Sequence, residues 1–258
     1  MKIAIAQYRP SESIDTNLET VINLVNKASK KDVSLIFFNQ FFLGFIDSIY
    51  NQKVVTTLSK AATLHNIEIV TGNLVVNELN NEISSAFFDR KGNLSSFDPE
   101  ITATSMQDAR SRLFNTELGT LMVLSELEAY DSEIDSIIHE IKPEIILMQV
   151  SAISLLEQQA IKELALERSL NQAHLVLTAS MIGEFNNRQF LGNSITVMQG
   201  EITAEASASD SELLITDIDP ERFIDYNELR EPVIIPELLK QKLVHDSTVR
   251  ESSKKMES

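Results

Sequence analysis

Val33-Ser34-Leu35-Ile36-Phe37-Phe38 is a continuous apolar run interrupted by a single serine. Such a run suits a strand covered on both faces, as in a parallel sheet flanked by helices. Upstream, Ile14, Leu18, Val21, Ile22, Val25 and Ala28 recur at helical spacing, and Thr16 and Glu19 have the spacing of a capping box at the helix start. Ile3 to Gln7 is a second short apolar run and reads as a buried first strand. Downstream, residues 47–65 read as helix and Glu68 to Val76 (EIVTGNLVV) as a strand. Gly72 inside that strand predicts a bulge or a close backbone approach. Ile83 to Phe88 and Leu94 to Phe97 flank the turn Asp89-Arg90-Lys91-Gly92, a hairpin signal.

The second half repeats this alternation. After a polar stretch from Asp98 to Asn115, Leu118 to Leu124 reads as strand, Glu133 to Ile141 as helix closed by Pro143, and Ile145 to Val150 as strand. A helix carrying Leu156, Ala160, Ile161, Leu164 and Ala165 runs to about Asn171. His174 to Ser180 reads as strand and Gly183 to Arg188 as loop. Phe190 to Met198, Glu201 to Ala206 and Leu213 to Ile218 read as three strands, and Glu221 to Val244 as a helix with an extended arm. No composition break divides the chain. The pattern predicts one α/β domain over residues 1–245 and a polar tail over 246–258.

Of the 258 residues, 38 are acidic and 22 basic, for a formal charge of −16. That field repels phosphate backbones and anionic membrane surfaces, so no nucleic-acid or membrane partner is expected. The densest basic stretch, Lys27 to Lys31, reads as cations at a helix C-terminus. The opening MKIAIAQYRP turns polar too quickly for a signal peptide, and no apolar run reaches membrane-span length. A cytoplasmic protein is the expectation. The sequence holds no cysteine, which removes disulfides, thiolate metal sites and any thiol nucleophile.

Other chemistry-bearing patterns are sparse. The histidines at 65, 139, 174 and 245 never reach metal-ligand spacing, so no metal is expected. There is no G-x-G-x-x-G, P-loop or G-x-S-x-G, and no cofactor is expected. Phe37, Phe38, Phe41, Phe42 and Phe45 read as core packing at a strand end rather than as the lining of an apolar pocket. The acidic run Glu126 to Asp131 reads as a solvated loop, and Arg110 and Arg112 as surface loop residues.

From residue 1 to about 240, the order of these elements resembles the nitrilase (carbon–nitrogen hydrolase) superfamily. The opening MKIAIAQ is similar to the family's first strand, and Asp32 to Phe45 to its strand-and-turn segment. Ile69 to Gly72, followed by Ser85-Ala86-Phe87 and Gly92, resembles its strand-to-hairpin run. Lys142 to Met148 with Ser151-Ala152, Ala165 to Val176, and Gly183 with Phe190 to Ser194 resemble the later landmarks. The resemblance implies an α-β-β-α sandwich, commonly dimerised so that the sandwiches stack. It also implies hydrolysis of non-peptide C–N bonds through a Cys thioester, with a Glu as general base and a Lys stabilising the oxyanion.

At the matched positions this sequence departs from all three residues. The family's Glu falls on Gln40, which does not titrate. The Lys falls near Asp98 to Glu100, with Glu100 the best match, and a carboxylate there repels an oxyanion. Counting forward from Gly119 puts the Cys on Val123; counting back from Glu133 and Glu144 puts it near Ser125 or Glu126. Of these only Ser125 can attack a carbonyl, and it needs a base such as Glu126, Glu128 or Glu68.

The expected protein is therefore a non-catalytic superfamily member, a small-ligand binder or a subunit of a homo-oligomer (dimer) or hetero-oligomer. An acidic replacement at the old oxyanion position favours a neutral or cationic ligand. The alternative is an amide hydrolase with a rebuilt site using Ser125, and a third possibility is a product with neither ligand nor partner.

Overall fold

A computed structural model describes residues 1–44, 51–77, 82–97, 112–117 and 119–219. The expectations for Phe45, Glu100, Arg110, residues 221–244 and the tail from 246 lie outside the described residues, as does the boundary at 245.

The first apolar runs form β1 (Lys2–Gln7) and β2 (Val33–Phe38), joined by α1 (Ile14–Ser29). α2 (Asn51–His65) leads to β3 (Glu68–Asn77), and the hairpin of β4 (Glu82–Phe88) and β5 (Leu94–Phe97) follows. β14 (Glu212–Asp217) closes the other edge, giving a six-stranded sheet in the order β14-β1-β2-β3-β4-β5. β1, β2 and β3 are parallel, and the outer pairings are antiparallel.

The second sheet contains β6 (Leu113–Thr116), β7 (Gly119–Leu124), β8 (Ile145–Met148), β9 (Leu175–Thr178), β12 (Ile195–Met198) and β13 (Glu201–Glu205), in the order β13-β12-β9-β8-β7-β6. Its β7, β8 and β9 are parallel. Three helices lie between its strands in sequence: α3 (Glu126–Ala129), α4 (Ser132–Ile141) and α5 (Leu155–Asn171). A separate hairpin, β10 (Ile182–Phe185) with β11 (Arg188–Leu191), follows β9.

Period-two alternation sorts the core into layers. Ile36 and Phe38 of β2 pack with Val21, Val25 and Leu58 of α1 and α2. Leu35 and Phe37 turn the other way and meet Val123, Ile145, Leu147 and Leu177 of the second sheet. On the far side Met122, Leu124, Ile146 and Met148 pack with Ile134, Ile138, Ile161 and Ala165 of α4 and α5. The two sheets thus face one another, with helices on both outer faces: an α-β-β-α sandwich, as expected from the sequence.

Local departures have local causes. The α1 N-cap is Ser13, whose side chain accepts from Thr16 N; Thr16 is inside the helix. The stretch from Phe190 to Met198 is not one strand, because Gly192 and Asn193 at φ 60° and 66° turn the chain between β11 and β12. Residues 183–188 are a hairpin rather than a loop, its turn formed by Asn186 and Asn187 at φ 51° and 58°. β6 begins within the stretch read as polar, Asp98 to Asn115.

At the start of β3, burial pushes the Glu68 carboxyl up to about 7; Arg90 pulls it down, and Glu117 and Asp89 push it further up. The protonated form is favoured in the folded state. Its stabilisation is therefore complete below the unfolded value near 4.5 and is lost as pH rises to about 7. Allowing for solvent screening, the loss is roughly 1–2 kcal/mol. Glu68→Gln is expected to be more stable than the unaltered protein at pH 8 and to lose that advantage at pH 4.5, read from urea unfolding midpoints at both values.

Candidate functional site

In parallel α/β sheets, chemistry gathers beyond the carboxyl ends of the strands. Here β2 ends at Phe38 and continues into Asn39-Gln40, β7 ends at Leu124 and continues into Ser125, and β8 ends at Met148 and continues into Gln149. The fold therefore places Gln40, Val123 and Ser125 at or beside strand ends.

Gln40 is half-buried, and its carbonyl accepts Asn73 N at 2.8 Å. That approach requires Gly72, where a Cβ would overlap the carbonyl oxygens of Asn39 and Gln40. The β3–β4 register skips between Val70 and Asn73, so the bulge or close approach expected of Gly72 is present. Asn39 is fully buried; its Oδ1 accepts Phe41 N at 2.9 Å, and its Nδ2 has no hydrogen-bond partner. Phe37, Phe38 and Phe42 are core, and Phe41 packs on Phe185 with ring centroids 5.4 Å apart.

Val123 lies within β7, fully buried in the inter-sheet core. Ser125 is the first residue beyond that strand, the N-cap of α3, and 2% exposed. Glu128, three residues on, accepts both the Ser125 N–H at 3.1 Å and its hydroxyl at 3.2 Å on Oε2. Its Oε1 is ion-paired with Arg112. Two expectations are corrected here. Glu126 to Asp131 is not a solvated loop, because α3 buries Glu128 completely. Arg112 is not a surface residue: it is 2% exposed, since the buried Glu128 carboxylate needs a cation beside it.

A second arginine holds the same turn. Arg168 of α5, fully enclosed, donates to Ala129 O at 3.1 Å and pairs with Asp135 at 3.0 Å. Burial lowers its pKa, against the opposing pull of Asp135 and the neighbouring carboxylates.

The residue the sequence reading missed is Gln149. It is 1% exposed, and its backbone N–H donates to Leu124 O at 2.9 Å, beside the strand-to-helix elbow formed by Leu124, Ser125 and Glu126. Its side chain crosses to the other sheet. Nε2 donates to Thr71 O at 2.8 Å and Phe38 O at 3.3 Å, and Oε1 accepts from Ser85 Oγ at 2.9 Å. The available signal was one amide at the end of the apolar run IILMQV (145–150). Among the described residues no group of three His, Cys, Asp or Glu is placed to hold a metal ion. Among them, too, no helix is long and apolar enough to cross a membrane.

The carbon-nitrogen hydrolase family model matches residues 2–118. That stretch includes Gln40 and ends just before β7, so it does not reach Ser125 or Gln149. Over most of the chain the fold is that of solved nitrilase-superfamily structures. Nit3 of Saccharomyces cerevisiae, a member of branch 10 of the superfamily, superposes with a TM-score of 0.73 at 19% identity, covering 88% of this chain and 93% of that one. A carbon-nitrogen hydrolase from Helicobacter pylori G27 gives 0.73 at 16% identity, covering 88% and 92%. An amidase from Nesterenkonia sp. gives 0.71 at 16% identity, covering 87% and 92%. In a glutamate-to-glutamine mutant of the amidase from Nesterenkonia sp. AN1, acrylamide has added to the active site cysteine. No curated protein sequence matches this chain.

Proposed function

We propose that this chain is a nitrilase-superfamily protein that does not hydrolyse C–N bonds and acts as a non-catalytic subunit of a homo-oligomer. The observation that supports the reading is how the chain's own groups are engaged around the turn from Leu124 to Glu126. Val123 is core, Ser125 caps α3, and Gln149 spans the gap to β2 and β3. No cysteine exists to supply a thiolate, and Gln40 cannot take a proton as a base.

The alternative, a hydrolase built on Ser125, has one point in its favour: a carboxylate oxygen 3.2 Å from the hydroxyl. That same oxygen also accepts the Ser125 N–H, and the other pairs with Arg112. This is the bonding of a capping box, and it leaves Glu128 a structural group rather than a base for an incoming substrate. Ser125→Ala is therefore expected to cost about 1 kcal/mol of stability, the usual worth of a cap. Incubation with an activated acyl ester, read by intact-protein mass spectrometry, is expected to leave Ser125 unmodified. An acyl group on Ser125 that later hydrolyses would overturn the reading.

The oligomer part is supported by exposed apolar side chains where α5 begins. Leu155 and Leu156 are 76% and 60% exposed, with Ile153 beside them. Light scattering is expected to give a dimer that Leu155→Glu with Leu156→Glu converts to monomer. A monomeric unaltered protein would refute this part.

A further inference from the structure

We infer that Gln149 acts as an internal ligand, its side-chain carboxamide filling a ready-made cradle for a small primary amide. The inference rests on the reading of the elbow as closed by the chain itself.

A primary carboxamide offers two N–H donors and a carbonyl acceptor. The cradle supplies their complement: Thr71 O and Phe38 O for the two donors, and the Ser85 hydroxyl for the acceptor. These groups come from three different strands, β3, β2 and β4, all in the sheet opposite the one that carries Gln149. None of them needs Gln149's backbone to be held in place. Thr71 and Ser85 are fully buried, and Phe38 O lies at the end of a strand paired with β1.

The surroundings are apolar, with Phe37, Val70 and Phe87 in the inter-sheet core. A polar side chain survives there only if its hydrogen bonds are made. The cradle also selects by chemistry. Two carbonyl oxygens repel a carboxylate, and an N,N-dialkyl amide brings them no donor. A small neutral amide with an intact NH2 group is the class that fits.

The test removes the internal ligand and supplies an external one. Gln149→Ala deletes the atoms of an acetamide, and thermal unfolding is then followed against acetamide, acetate and N,N-dimethylacetamide. The expected result is a saturable rise in Tm of roughly 4 °C with acetamide on the order of millimolar, and none with the other two. The unaltered protein, whose cradle is occupied, should show no such rise. Ser85→Ala added to Gln149→Ala should weaken the acetamide response several-fold.

If Gln149→Ala does not fold in buffer, acetamide present during refolding must recover folded protein. No acetamide-specific rise, or no recovery, overturns the inference. Such a failure leaves the absence of turnover untouched, whereas turnover by the unaltered protein would refute the closed elbow and leave the acetamide result standing.

Discussion

Arg112→Ala is expected to cost roughly 3–5 kcal/mol, because it removes the ion-pair partner of the Glu128 carboxylate in a fully buried position. The same carboxylate holds the Ser125 N–H and hydroxyl, so the loss extends to the α3 cap. A surface arginine would give almost nothing, since exposed ion pairs contribute about 0–1 kcal/mol. The pair as a whole is a different matter. Replacing both partners with apolar groups, Arg112→Met with Glu128→Leu, is expected to restore most of the loss, because desolvation of two charges consumes much of their attraction. Urea unfolding of the single and double variants checks both statements. A single variant within 1 kcal/mol of the parent would contradict the burial of this pair.

Gly72→Ala is expected to be as damaging by a different route. Backbone carbonyls at Asn39 and Gln40 occupy the space of the added methyl, and Asn73 N holds one of them in place. Neither carbonyl can move without disturbing the turn that follows β2. Overpacking against backbone costs roughly 3 kcal/mol or more here, a Tm loss on the order of 10 °C. A control is available at Asn73, whose half-buried side chain is not part of that contact. Asn73→Ala should lower Tm by much less, and equal losses would mean that the approach of β3 to the Gln40 turn is not the tight point of the fold.

These two positions differ in how far they could be read beforehand. Gly72 was legible because a glycine inside a strand has few physical reasons to be there. The strands were legible where burial on both faces writes an unbroken apolar run, as in Val33–Phe38 and Ile145–Met148. Arg112 and Glu128 were not legible. Each sits in a charged or polar stretch, and what buries them is a pairing between segments that local pattern does not encode. The same holds at Gln149, whose acceptors lie 111 and 78 residues away in sequence. A single amide in an apolar run marks an anomaly but does not say which carbonyls it meets. The α1 cap went to Ser13 rather than Thr16 because both are good capping residues, and backbone geometry chose between them. For the position that the resemblance matches to the family's nucleophile, counting along the chain gives Val123, Ser125 or Glu126. The structure makes Val123 a core strand residue, Ser125 a helix cap and Glu126 the first residue of that helix.

The sequence has no cysteine, the residue beyond β7 is tied into the cap of α3, and Gln149 meets its hydrogen-bond partners on the opposite sheet.

Release of ammonia from a panel of small amides and nitriles by the purified full chain tests the central claim most directly, run in parallel on the unaltered protein and on Ser125→Ala. The expected result is no release above the enzyme-free rate for either. Release by the unaltered protein that Ser125→Ala abolishes would contradict the account and make Ser125 a working nucleophile.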